Sequence, residues 1–168
     1  GALFQYIQDR SYGNDVTLTA LPMIAKNREI LSSEPHQIQS LIEGGNPAEA
    51  IKEAGLTWEQ LGSMMVGGWS SEAWAAMIPS MGYMALLRNL RNFETTGLPS
   101  AIETYVNATL ADPVEVARSK QLPFRFLAAS QNTVSYTFKG AIEKALDHSV
   151  KNVPSFPGKT LVLVDTSG

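Results

Sequence analysis

Apolar residues recur along most of this chain at intervals of three and four, the spacing that lines one face of an α-helix. Over Tyr136–Val150, the residues Phe138, Ile142, Ala145, Leu146 and Val150 share one stripe. Over Met81–Phe93, Leu86, Leu90 and Phe93 do the same. Helix-start chemistry precedes several such stretches. Asn46-Pro47-Ala48-Glu49 and Asp112-Pro113-Val114-Glu115 each place a capping residue before a proline at the first helical position, with Glu three residues after the cap. Thr57-Trp58-Glu59-Gln60 is a capping box, Ser71 is expected to cap Glu72–Ile78, and Ser80 is expected to cap Met81–Phe93. Gly55, Gly67-Gly68 and Pro79 supply stops. Many short helices joined by Gly, Pro and Ser turns predict a mainly α protein of paired helices stacked in layers, as in helical-repeat proteins, although the letters show no fixed repeat period.

The pattern changes near the end. Pro154-Ser155-Phe156-Pro157-Gly158 is incompatible with helix and is the best candidate boundary, dividing 1–157 from 158–168. Leu161–Val164 then forms an unbroken aliphatic run, the pattern of a strand buried on both faces in a parallel sheet. A parallel neighbour requires a crossover of a dozen or more residues, and none follows Gly168. The expectation is that this strand opens an α/β unit belonging to a longer polypeptide.

Composition narrows the function classes. With 168 residues, 44% of them hydrophobic, the chain is long enough for one domain with a real core. Its apolar runs are too short for a membrane-spanning helix, and Gly1-Ala2-Leu3-Phe4 shows no basic region ahead of an apolar one of the kind a signal peptide carries. There is no cysteine, which excludes disulfides and thiolate metal sites, and the two histidines, His36 and His148, sit in different segments. The net charge of −3 is uneven: four Lys/Arg face nine Asp/Glu through Glu72, whereas nine face seven from Ala73 onward. A phosphate-binding surface therefore belongs in the second half.

Two stretches carry candidate chemistry. On the Met81–Phe93 helix, Arg88, Arg91 and Asn92 lie three and four apart on a face away from the Leu86/Leu90/Phe93 stripe, and neither Arg has an acidic partner one turn toward the N-terminus. Guanidinium forks bind phosphates bidentately and stack on bases, so this face suits RNA. A solvated face that satisfies loop carbonyls would carry the same residues. Asp165-Thr166-Ser167-Gly168 has three readings. Asp165 and Ser167 are hard oxygen ligands of the kind Mg²⁺ takes at the carboxyl end of a parallel strand. The same letters approximate the Asp-Thr-Gly of an aspartic protease, with Ser167 intervening and a helical chain in place of an all-β fold. Or Asp165 caps a turn.

The chain resembles the TROVE module of Ro ribonucleoproteins. Met81–Asn92 (MGYMALLRNLRN) is similar to that family's signature segment, Gln121–Ala129 (QLPFRFLAA) to its later Pro-Phe helix, and Ala141–Leu146 to its last helix. Gly158–Gly168 resembles the opening of the von Willebrand factor A domain that follows. The four segments stand in the family's order and span residues 56–168. The resemblance implies HEAT-like antiparallel helical repeats over 1–157, ending in the first β-strand of a truncated A-type α/β domain. It implies a cytoplasmic, non-enzymatic RNA-binding protein with no membrane partner, binding Y-type small RNAs and single-stranded ends of defective RNAs in quality control, with room for an exoribonuclease partner. Arg88, Asn89, Arg91 and Asn92 match the signature segment, and Arg118, Lys120 and Arg125 add to it from the basic half. Asp165 and Ser167 match part of a Mg²⁺ site whose remaining ligands are missing, so a divalent cation is expected for a complete family member and not for this chain. The alternative is that the A-type element is the working part, a metal-dependent protein-binding module.

Overall fold

The computed structural model describes residues 22–155, 157–159 and 161–164. Ten α-helices follow one another among them: α1 (Pro22–Leu31), α2 (Pro35–Ile42), α3 (Pro47–Ala54), α4 (Trp58–Met64), α5 (Ser71–Met77), α6 (Tyr83–Thr96), α7 (Ser100–Ala111), α8 (Pro113–Ser119), α9 (Pro123–Asn132) and α10 (Tyr136–Ser149). Short 3₁₀ turns at Ile78–Ser80 and Val150–Asn152 follow α5 and α10.

Local chemistry sets most of the boundaries. At α4 the capping box is reciprocal: the Gln60 N–H donates to Thr57 Oγ1 at 3.3 Å, and the Thr57 N–H donates to Gln60 Oε1 at 3.0 Å. At α8, Asp112 Oδ1 accepts from the Val114 N–H at 2.7 Å and the Glu115 N–H at 3.4 Å. Gly55 ends α3 in the left-handed region at φ +59°, and a Cβ there would stand 2.8 Å from Met23 Sδ.

Three boundaries and the side-chain bond of one cap differ from expectation. Ser70, not Ser71, caps α5, because its extended backbone aims the hydroxyl at the Ala73 N–H, 3.1 Å away. Ser80 turns back instead of forward: its hydroxyl donates to the Met77 carbonyl at 2.9 Å, so α6 begins later, after Gly82, with no side-chain cap. Asn46 is the N-cap ahead of Pro47 as expected, but its side chain bonds no backbone N–H and its amide donates to the Glu49 carboxylate instead. Val150 leaves the α10 stripe and is exposed, since the helix tightens into a 3₁₀ turn at that residue.

Two apolar clusters make the core. One gathers Ile38, Ile42, Ile51, Leu61 and Met77 from α2–α5. The other gathers Leu86, Leu90, Phe93, Val106, Phe126 and Ile142 from α6, α7, α9 and α10. Trp58, Trp69 and Met81 pack against both. The seam is aromatic: Trp74 stacks on Trp69 with ring centroids 3.7 Å apart and meets Phe93 edge-on at 4.9 Å. Helix α10 packs on α7, α8 and α9, and α6 packs on α5, α7, α8 and α9. A buried tie reinforces the second layer, where the Tyr83 hydroxyl donates to the Leu110 carbonyl at 2.8 Å. Burial pushes that phenol's pKa well above its ordinary value.

The mainly helical class expected from the sequence is therefore the fold observed, and it is unlike the all-β architecture of an aspartic protease. The strand expected over Leu161–Val164 does not form: those residues have no regular structure and their exposures run from 75% to 85%. A strand exists only through pairing, and no strand lies beside it among the described residues. Asp165 and Ser167 lie outside the described residues.

Candidate nucleic-acid interface

Helix α6 is amphipathic in a way that separates apolar packing from charge. Leu86, Leu90 and Phe93 are buried, while Arg88, Arg91 and Asn92 are exposed. Helix α9 presents a second stripe at i, i+3, i+4 and i+7, namely Arg125, Ala128, Ala129 and Asn132. The two helices pack against each other and enclose between them an open cleft of about 370 Å³. Small side chains on α9 leave the space; Leu87 and Leu90 contribute apolar lining from α6.

Arg88, Arg91 and Arg125 all line this cleft, and no carboxylate does. Among the described residues none of the three is in an ion pair. Like charges one turn apart on a helix cost about 0.2–0.5 kcal/mol, so Arg88 and Arg91 repel each other. The natural partner for Arg91 by spacing is Glu94, and it is engaged elsewhere. Its Oε1 accepts from the Val134 N–H at 3.0 Å and the Ser135 N–H at 2.8 Å, holding the two residues just ahead of α10, whose N-cap is Ser135. That bond also anchors the α9–α10 connection, which follows Asn132 and Thr133 of the cleft wall.

Residues 51–139, more than half of the chain, match the TROVE domain. The chain belongs to the TROVE domain family. The TROVE match runs from within α3 to the first turn of α10 and so contains both walls of the cleft. TROVE is the module of Ro proteins, which are RNA-binding ribonucleoprotein components. Comparison with curated proteins and with solved structures finds no match.

Within this TROVE domain the sequence-derived site residues separate into three groups. Arg88, Arg91, Asn92 and Arg125 come together at the cleft. Asn89 stands behind them, 2% exposed: its Nδ2 donates to the Ala85 carbonyl at 2.9 Å, and its Oδ1 accepts from Asn92 Nδ2 at 2.8 Å. It holds Asn92 in place and offers no surface of its own. Arg118 and Lys120 do not line the cleft. Arg118 pairs with Glu115 at 2.8 Å on the surface of α8, and Lys120 closes that helix in the left-handed conformation at φ +54°.

Asn132 and the Ala128/Ala129 pair were not among the candidates read from the sequence, although their spacing from Arg125 places all four on one helical face. No local signal pointed to the Glu94 bonds, which join residues 40 and 41 positions apart. Among the described residues no three His, Asp or Glu side chains converge to hold a metal ion, and no helix is long and apolar enough to cross a membrane.

Proposed function

We propose that this chain binds RNA in the cleft between α6 and α9. The observation that carries the reading is the set of three arginines on a cleft without carboxylates, inside the TROVE match. Arg88, Arg91 and Arg125 take the phosphate backbone through bidentate hydrogen bonds, and the amides of Asn92 and Asn132 meet ribose hydroxyls or base edges. The reading is of binding without bond-making, and what supports it is the TROVE match.

The resemblance to Ro proteins supports a finer version. The ligands are then Y-type small RNAs and the single-stranded ends of defective RNAs, the setting is cytoplasmic RNA quality control, and an exoribonuclease is a further partner. The same resemblance implies a divalent cation for a complete family member, with Asp165 and Ser167 as two of its ligands, and none for this chain.

The test is fluorescence anisotropy with a labelled small RNA. Arg88→Ala/Arg91→Ala weakens binding, while Arg118→Ala, whose side chain is already paired with Glu115, leaves it near the wild-type value. Unchanged affinity in the double variant, or an equal loss in Arg118→Ala, overturns the assignment.

A further inference from the structure

We propose that Phe124 is a base-stacking residue at the mouth of the arginine cleft, so that the chain grips unpaired RNA by a base as well as by its phosphates. The inference rests on the cleft being the RNA surface. Phe124 is the second residue of α9 and is 55% exposed, although Phe126 two positions later is fully buried and already supplies this helix's aromatic contribution to the core. A single exposed phenylalanine is ordinary on a protein surface, so the reason to assign Phe124 a role has to come from what stands beside it.

Its neighbour supplies that reason. Arg125 lines the cleft, and its guanidinium carbon lies 5.1 Å from the centre of the Phe124 ring. That is a cation–π arrangement, which ties the Arg125 head group to the aromatic ring. A nucleotide whose phosphate sits on Arg125 therefore has its base within reach of Phe124. Leu127, one turn further along α9 and also exposed, extends the apolar ledge beside the ring. The bases of a duplex are stacked on each other and cannot lie on such a ring, whereas unpaired bases can, and every base has a face to offer. Phe124 thus makes the cleft selective for unpaired over duplex RNA without making it selective for sequence. Tyr105, an exposed aromatic on α7, which forms neither wall, serves as a control.

The experiment uses the full chain, a labelled oligoadenosine and an abasic ribose-phosphate chain of the same length. Phe124→Ala and Phe124→Leu are both expected to lower oligoadenosine affinity about 5- to 150-fold, the range that a lost base–aromatic stack gives. Binding of the abasic chain and the salt dependence of both ligands stay as in the wild type. Phe124→Trp restores oligoadenosine binding, and Tyr105→Ala changes neither ligand. Wild-type oligoadenosine affinity in Phe124→Ala overturns the inference. So does an equal loss on the abasic chain, which would mean that the ring acts only by holding Arg125. If the Arg88→Ala/Arg91→Ala variant weakens both ligands while Phe124→Ala weakens neither, stacking alone is lost. If the arginine variant weakens neither, the cleft reading fails and stacking falls with it.

Discussion

Glu94 joins two parts of the fold that the sequence separates widely, and its removal has a calculable cost. Its carboxylate accepts N–H groups from Val134 and Ser135, 40 and 41 residues away, at 3.0 Å and 2.8 Å. A hydrogen bond to a charged group is worth about 1.5–3 kcal/mol, and a helix N-cap about 0.5–2 kcal/mol. Val134 is exposed, so water replaces its bond in a variant; the Ser135 bond is partly buried and is replaced less well. Glu94→Ala is therefore expected to cost about 1–2 kcal/mol, nearer a cap than two full charged bonds. For a chain of this size each kcal/mol moves Tm by about 2–4 °C, so Tm falls by about 2–8 °C. Glu94→Gln keeps a carbonyl acceptor and loses the charge, so its loss is expected to be smaller. The assay is thermal unfolding followed at the helical circular dichroism band, with urea unfolding as a check that the m-value is unchanged. Glu143→Ala, an exposed carboxylate on α10, is the control. If Glu94→Ala unfolds at the wild-type temperature, or no lower than Glu143→Ala, the tie from α6 to the residues ahead of α10 contributes nothing to stability.

Other outcomes follow from the same geometry. Tyr83→Phe loses the bond to Leu110 and costs about 0.5–1.5 kcal/mol at neutral pH. Because burial raises the Tyr83 pKa, the unfolded chain ionises first as pH passes 10; wild-type stability then falls by up to about 1.4 kcal/mol per pH unit more than that of Tyr83→Phe, and parallel stability curves above pH 10 would contradict this. Gly55→Ala is expected to lower stability by about 1–2 kcal/mol through its left-handed backbone, the flexible Met23 side chain being able to move aside; a neutral result in urea unfolding would show that α3 can end another way. Asp112→Ala is expected to cost about 0.5–2 kcal/mol by uncapping α8, and retention of full stability would refute the cap.

How much of this was readable in the letters depends on the range of the interaction. Thr57/Gln60, Asp112 and Gly55 act within one turn, and each performs the role its spacing predicts. The Leu86/Leu90/Phe93 stripe is also a local pattern and is buried as expected. Adjacent hydroxyls were less legible, because Ser70 and Ser71 are equivalent in sequence and only the backbone angles decide which one caps α5. Helix α7 gave no clear signal, since it follows Pro99 with no side-chain cap and buries only Val106 and Leu110. Leu161–Val164 has the composition of a strand, but composition supplies no partner. At the cleft, Arg88 and Arg91 were evident from helical spacing, and their lack of carboxylate partners holds among the described residues. That Arg125 faces them depends on α6 packing against α9, a pairing between distant segments. The burial of Asn89 separates it from its neighbours in the same motif, a distinction spacing alone blurs.

Arg88, Arg91 and Arg125 line one cleft, and we propose that they form one phosphate-binding surface. The direct measurement is the slope of log K against log salt for a single-stranded RNA, comparing the wild type with Arg88→Ala/Arg91→Ala/Arg125→Ala. Each phosphate contact contributes about 0.7 to that slope, so the triple variant is expected to be shallower by about 2. Two parallel lines, whatever their separation, would show that these arginines do not touch the RNA backbone.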